Sequence, residues 1–401
     1  MSFKTLQDFD LKGKRVLVRA DLNVPAKDGK VTDTTRIDRL KPTIDYLTSK
    51  GAKTVLLSHF GRPKSSADTE FSQAFLAPVC EKSWGVKVAF AKDCIGDEAA
   101  KAVSSIKDGE IVLLENVRFH AGEEKNDAGF TAELAKLGDI YVNDAFSAAH
   151  RAHASTEGLA HRLPTAAGFL MEAELNALND ALESPKKPVI AIVGGSKIST
   201  KLSVLNNLVK KVDYLFLGGG MANTFLAAKG VEVGKSLCER DMIEEAKTIL
   251  ATCEKAGCEL LLPIDRVCVT KFGENAPFEI RKTEAMPAEE EAVDVGPETI
   301  EMLEDILSGC KTALWNGPMG VFEVKPFDRG TNDLARAVAT LTKSGSLVSV
   351  AGGGDTVSAL ENAGAADDFT YISSAGGAFL EWLEGKELPG VAALSAYKAA
   401  A

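Results

Sequence analysis

The chain has 401 residues, too many for one ordinary core, so about two domains of roughly 150–200 residues each are expected. Hydrophobic residues make up 45% and charged residues 26%, the balance of a soluble globular protein. With 46 basic against 57 acidic residues the formal charge is −11, which argues against nucleic-acid partners, since sequence-independent binding needs a basic face.

No stretch approaches the roughly 20 apolar residues of a membrane span, and the start MSFKTLQDFDLKGKRV has no signal-peptide core. A cytoplasmic location without membrane partners is therefore expected. Seven cysteines (Cys80, Cys94, Cys238, Cys253, Cys258, Cys268 and Cys310) form no CxxC pair and read as reduced packing thiols.

In chain order, ten short apolar runs alternate with helical patterns, which is βα alternation and argues a parallel sheet in each half. The first four runs, VLVRADLNVP, VLLSHFGRP, IVLLENVRF and IYVNDAFSAAHRAH, end in Arg and His. Asp21 and Asn23 suit a turn, but Arg36, His59, Arg62, Arg118 and Arg151 recur beyond them. Cations are costly to bury unless paired, and guanidinium forks match phosphate and carboxylate oxygens. On these residues alone a surface ion-pair network remains the alternative to an anion pocket. MEAELNALNDAL then places Met171, Leu175, Leu178 and Leu182 on one helical face, and the SPKKP that follows stops the helix. This divides the chain into a first domain 1–170, a connecting helix and hinge 171–184, and a second domain 185–384, followed by a tail 385–401.

The last six runs end mostly in glycine. GGSKISTK places Lys197 and Lys201 four residues apart, on one face of a helix expected to open after the glycines. The stretch 230–236 (GVEVGKS) has three residues between its glycines where a P-loop needs four, and it follows a helical pattern rather than a strand. It reads as a helix cap and turn. No GxGxxG opens a helix after a strand, which weighs against a dehydrogenase. Gly353, Gly354, Asp355 and Thr356 combine backbone donors, a carboxylate suited to Mg²⁺ and a hydroxyl. Gly376 and Gly377 supply a third glycine pair before a helix, and Glu323 lies in the loop NGPMGVFE, where it serves equally to cap or to pair. Ligands of parallel α/β sheets bind outside the carboxyl ends of the strands. Two loop chemistries therefore imply two ligands, and a transferase rather than a binding module.

RADLNVP, HFGRP, NVRF, NDAFSAAHRAHAS, GGSKISTKL, FLGGGMANTFL, WNGPMGVFE, AGGGDT and SSAGGAFLEWLEGKELPGV resemble the motifs of the phosphoglycerate kinase family, in order, from residue 19 to about 391. The resemblance implies an α/β fold of two Rossmann-like domains, each a parallel sheet with helices on both faces, joined by a helix, with the tail returning to the first. It implies reversible in-line phosphoryl transfer from 1,3-bisphosphoglycerate to ADP, giving 3-phosphoglycerate and ATP, with Mg²⁺ and closure of a cleft by domain motion.

Asp21, Asn23, Arg36, His59, Phe60, Gly61, Arg62, Arg118 and Arg151 would hold the phosphoglycerate. Lys201, Glu323, Gly353, Gly354, Asp355 and Thr356 would hold the nucleotide, with Asp355 on the metal. Arg36, Lys197, Gly376 and Gly377 would stabilise the group in flight. Thr200, Ser374 and Ala375 depart from the family's usual residues. No exposed apolar stripe marks an oligomer face, so a monomer is expected.

Overall fold

The computed structural model describes residues 3–373 and 375–396; Ser374 and the end of the tail, 397–401, lie outside the described residues. The chain folds as two compact units. One is built from the chain up to Leu175 and from Glu387 onward, the other from Asn176 to Lys386.

The first unit holds six parallel strands: β1 (Arg15–Ala20), β2 (Lys53–Leu57), β3 (Val88–Phe90), β4 (Ile111–Leu113), β5 (Ile140–Asp144) and β6 (Thr165–Ala167), in the order β3-β4-β2-β1-β5-β6. Successive residues of each strand enter opposite cores. Val16, Val18, Leu56, Ile111 and Val142 pack in one layer, and Leu17, Val55, Val112 and Tyr141 in the other. Both faces are buried, which is why these strands read as continuous apolar runs rather than alternating ones. The helix Pro389–Ala396 belongs to this unit: Gly390 N–H donates to Ala149 at 2.8 Å, and Ala393 joins the core.

The second unit holds β7 (Val189–Val193), β8 (Tyr214–Leu217) and β9 (Glu259–Leu261), then an antiparallel trio β10 (Asp265–Val269), β11 (Glu279–Lys282) and β12 (Glu291–Val295). The strands β13 (Thr312–Asn316), β14 (Val348–Gly352) and β15 (Tyr371–Ser373) follow. Its main sheet is parallel in the order β9-β8-β7-β13-β14-β15, so the winding reverses between β7 and β13. A reversal of this kind opens a crevice where doubly wound sheets bind ligands.

All ten apolar runs contain a strand. The strands β3 and β6 and the antiparallel trio were not anticipated. The connecting segment is the helix Phe169–Leu178 continued by a wider turn, Asn179–Glu183. Met171, Leu175, Leu178 and Leu182 are all buried, as their spacing requires, and the boundary between the two units falls inside this helix. Residues 230–236 form a turn, with Ser236 Oγ accepting from Ala292 N–H at 2.9 Å. All seven cysteines are free. Among the described residues no helix is long and apolar enough to cross a membrane.

Candidate active site

In the first unit the cationic loops meet at the carboxyl ends of the strands. Asp21 follows β1, and its carboxylate receives Arg36 Nη1 at 2.8 Å and Ser147 Oγ at 2.6 Å. Arg36 stands in the first turn of the helix Thr35–Ser49 and also donates to the Asn23 carbonyl at 3.0 Å. Asn23 Oδ1 in turn accepts from Gly61 N–H at 2.9 Å, and the Gly61 carbonyl accepts from Arg118 Nη1 at 2.8 Å. Gly61 has φ +60°, and a side chain there would strike the Phe71 ring at 2.3 Å, so glycine is required. Phe60 packs edge-on against Phe75. Arg62 and Arg151 are exposed. Asp21, Asn23 and Gly61 thus orient the guanidiniums of Arg36 and Arg118 through hydrogen bonds.

Beneath this layer lies a buried network that sequence reading did not find. Arg19, 1% exposed, donates through Nε to Ser155 Oγ at 2.8 Å and through Nη2 to His59 Nδ1 at 3.0 Å. Ser155 Oγ continues the chain of hydrogen bonds, donating to Glu123 Oε1 at 2.5 Å. The hydroxyl therefore links a buried cation to a fully buried carboxylate, the arrangement that makes two buried charges tolerable. Burial raises the Glu123 pKa, opposed by Arg19 and the Ser155 bonds. Burial and then the Arg19, Arg118 and Arg36 charges push His59 down to about 2, and burial with Arg118 takes His153 to about 4. Both imidazoles are neutral near pH 7. The available signal was Arg19 inside an apolar run; its partners His59 and Ser155 lie 40 and 136 residues away.

In the second unit the loops after β7 and β13 cross at the reversal point. A Cβ on Gly194 would lie 1.9 Å from the Pro318 carbonyl oxygen, and Gly317 holds φ +105°. The helix expected directly after Gly195 begins only at Leu202. Residues 196–201 are turns instead, with Thr200 Oγ1 donating to the Lys197 carbonyl at 2.9 Å. Lys197 and Lys201 therefore share no helical face. Lys197 is exposed, whereas Lys201 is half-buried and donates through Nζ to Asn316 Oδ1. Burial lowers the Lys201 pKa, with Asp355 and Glu384 opposing.

Gly353, at φ +102°, caps the helix Gly354–Asn362, whose first N–H groups precede its own ladder and are free to meet an anion. The Thr356 hydroxyl, assigned to a ligand from sequence, is buried and tied inside the fold. It accepts from Gly317 N–H at 2.8 Å and donates to the Gly352 carbonyl at 2.9 Å. Gly376 and Gly377 form the first turn of the helix Gly376–Leu383, with buried Ala375 at its cap. A cavity of about 310 Å³ opens here, lined by Gly195, Gly220, Met319, Phe322, Glu323 and Asp355 among others. Its walls are mainly glycine and apolar side chains with a few polar ends, the make-up of a small-molecule site. Asp355 is an exposed carboxylate in the first turn of its helix. An oxygen donor so placed fits Mg²⁺, which is commonly held by one or two carboxylates together with substrate phosphates.

Parallel α/β units with guanidinium-lined strand ends in one and glycine-lined strand ends in the other define the class of α/β phosphotransferases. The family model described as phosphoglycerate kinase matches residues 6–386. A phosphoglycerate kinase of Rhizobium meliloti is 61% identical over 392 residues, 98% of each chain, and one of Rhodospirillum centenum is 59% identical over 396 residues, covering 99% of this chain and all of the other. The solved phosphoglycerate kinase of Coxiella burnetii superposes with a TM-score of 0.92 at 41% identity, over 98% of this chain and 99% of that one. The chain belongs to the phosphoglycerate kinase family.

Proposed function

We propose that this glycolytic kinase transfers a phosphoryl group reversibly between 1,3-bisphosphoglycerate and ADP, giving 3-phosphoglycerate and ATP. The single observation that carries the reading is the pair of anion-binding constructions: a guanidinium layer held by Asp21, Asn23 and Gly61 in one unit, and glycine turns with helix N-termini around a cavity in the other. Arg36, His59, Arg62, Arg118 and Arg151 hold the phosphoglycerate, with Asp21, Asn23, Phe60 and Gly61 shaping their loops. Lys201, Glu323, Gly353, Gly354 and Asp355 hold the nucleotide, Thr356 acting through its backbone N–H.

The phosphorus–oxygen bond of the acyl phosphate breaks as the terminal ADP oxygen forms its own bond to phosphorus. In the reverse direction the accepting carboxylate is already ionised near neutral pH, so neither direction needs a general base. The task is positioning and charge neutralisation. Arg36, Lys197 and the first-turn N–H groups at Gly376 and Gly377 neutralise the group in flight. Asp355 is the residue that would hold Mg²⁺, which when bound screens the phosphate charges. The protein acts in the cytoplasm as a monomer.

ATP formation by the purified protein from ADP and 1,3-bisphosphoglycerate tests the reaction, and its absence would refute it. Calorimetric titration tests the assignment. Arg62→Ala and Arg151→Ala should weaken 3-phosphoglycerate at least tenfold and leave ADP nearly unchanged. Asp355→Ala should do the reverse, with a defect that depends on Mg²⁺. Equal losses for both ligands would undo the division.

A further inference from the structure

Away from the residues assigned above, one cluster brings three different ligating side chains together. Asp93 and Cys94 follow β3, and His120 follows the turn Val117–Phe119. A carboxylate oxygen of Asp93, the Cys94 sulfur and a ring nitrogen of His120 lie within 4.8 Å of one another. His120 Nε2 is 2.7 Å from Asp93 Oδ1, and its ring stacks on Phe130 at 5.2 Å between centroids. Cys94 is fully buried, while the side chains of Asp93 and His120 keep 42% and 31% exposure. The cluster therefore has one dry side and one side open to water.

Local structure explains part of this. Asp93 Oδ1 accepts from Cys94 N–H at 2.6 Å and shapes the turn into the helix Gly96–Ser105. That accounts for one carboxylate oxygen. The hydrogen bond to Asp93 Oδ1 accounts for the imidazole, but nothing local accounts for the buried thiol beside both, nor for Asp93 Oδ2, which carries no hydrogen bond among the described residues.

A tetrahedral centre with bonds of about 2.0–2.3 Å has ligand-to-ligand edges of about 3.3–3.8 Å, so no pair of the three atoms has to close by more than about 1.5 Å, while His120 Nε2 and Asp93 Oδ1, hydrogen-bonded at 2.7 Å, part by about 0.6 Å to admit the ion.

We propose that Asp93, Cys94 and His120 form a site for a borderline-soft divalent cation of the zinc type, with water from the open side as fourth ligand. Thiolate with imidazole selects such ions over Mg²⁺, which takes oxygen donors in an octahedron. On binding, the Cys94 S–H bond breaks, its proton passes to solvent and its electron pair binds the metal, with no change of oxidation state.

Co²⁺ added to the untagged, full-length, metal-free protein is the probe. One equivalent should bind and produce a near-ultraviolet thiolate-to-cobalt charge-transfer band. One equivalent of Zn²⁺ should abolish the band, and a hundredfold excess of Mg²⁺ should leave it. Cys94→Ser should lose the band, His120→Gln should weaken cobalt affinity at least tenfold, and Cys253→Ser should match the parent. Thermal melts of the metal-free variants confirm that each is folded. A band that survives in Cys94→Ser, or falls in Cys253→Ser, would place the metal elsewhere. Absence of saturable binding to the parent protein, or His120→Gln affinity equal to the parent's, would overturn the proposal.

Discussion

His59 shows how far its neighbours decide what a residue does. In sequence it is a histidine in a strand-end loop; in the fold it is 9% exposed with Arg19 Nη2 at 3.0 Å, and its pKa falls to about 2. The unfolded value is near 6.5, so below that pH the unfolded chain takes up a proton that the folded chain refuses. The stability tied to His59 is complete above about pH 6.5 and is lost as pH falls from there toward 2. Urea unfolding at pH 7 and pH 5 should therefore show His59→Gln losing about 1–2 kcal/mol less than the parent across that interval. Asp144, raised by burial to about 6, acts with the opposite sign but in both proteins, so it cancels in the comparison. An equal loss in both would mean that the imidazole is protonated in the fold. His59 and Arg118 stood out as candidates because cationic side chains recur at strand ends, where burying them unpaired is costly, whereas Asp21 and Asn23 are ordinary turn residues that only the family resemblance singled out. Glu123, Ser155 and Asn316 did not stand out, since nothing local distinguishes them from ordinary loop residues.

Among the elements, the loop after β7 departs most from its sequence pattern. Two glycines followed by lysines four apart read as the start of a helix, yet Gly194 crosses under the 317–323 loop and the chain turns through 196–201 before Leu202. The crossing takes precedence over local helix preference because it lets the two central strands sit side by side with their backbones in contact. Gly194→Ala should lower stability by about 2–3 kcal/mol, as overpacking against rigid backbone does. It should also weaken ADP while 3-phosphoglycerate affinity is retained. Gly230→Ala is the control: it has positive φ but open space around it, and should cost only about 1 kcal/mol. Denaturation curves with calorimetry check both, and a Gly194 variant as stable as the Gly230 variant would contradict the close crossing. Two of the overlooked strands have separate causes. β6 is only Thr165–Ala167, too small to register as an apolar run, and β11 is mostly exposed.

At the scale of the whole molecule, the proposed phosphoglycerate groups and nucleotide groups belong to different units. In-line transfer needs the reacting atoms within about 3–3.5 Å and water excluded, so that ATP is not lost to hydrolysis. A rearrangement that completed the site only when both ligands are bound would meet both needs, and the segment 171–184 is where a hinge for it is expected. Small-angle scattering should record a smaller radius of gyration with 3-phosphoglycerate and the nucleotide together than with either alone. An unchanged radius alongside full turnover would dismiss the rearrangement.

The parallel strands, the helix that joins the two halves and the contrast between arginine-bearing and glycine-bearing loops were set by the sequence itself, because burial on both faces of a sheet demands unbroken apolar runs and strand ends are where polar chemistry can gather. Tertiary structure alone decided the reversal of winding between β7 and β13, the burial of Arg19 with Ser155 and Glu123, the Lys201–Asn316 contact and the meeting of Asp93 and Cys94 with His120. Each of these joins residues far apart in the chain or rests on backbone crossings. Local propensity carries no information about such partners, and only the packed fold brings them within reach.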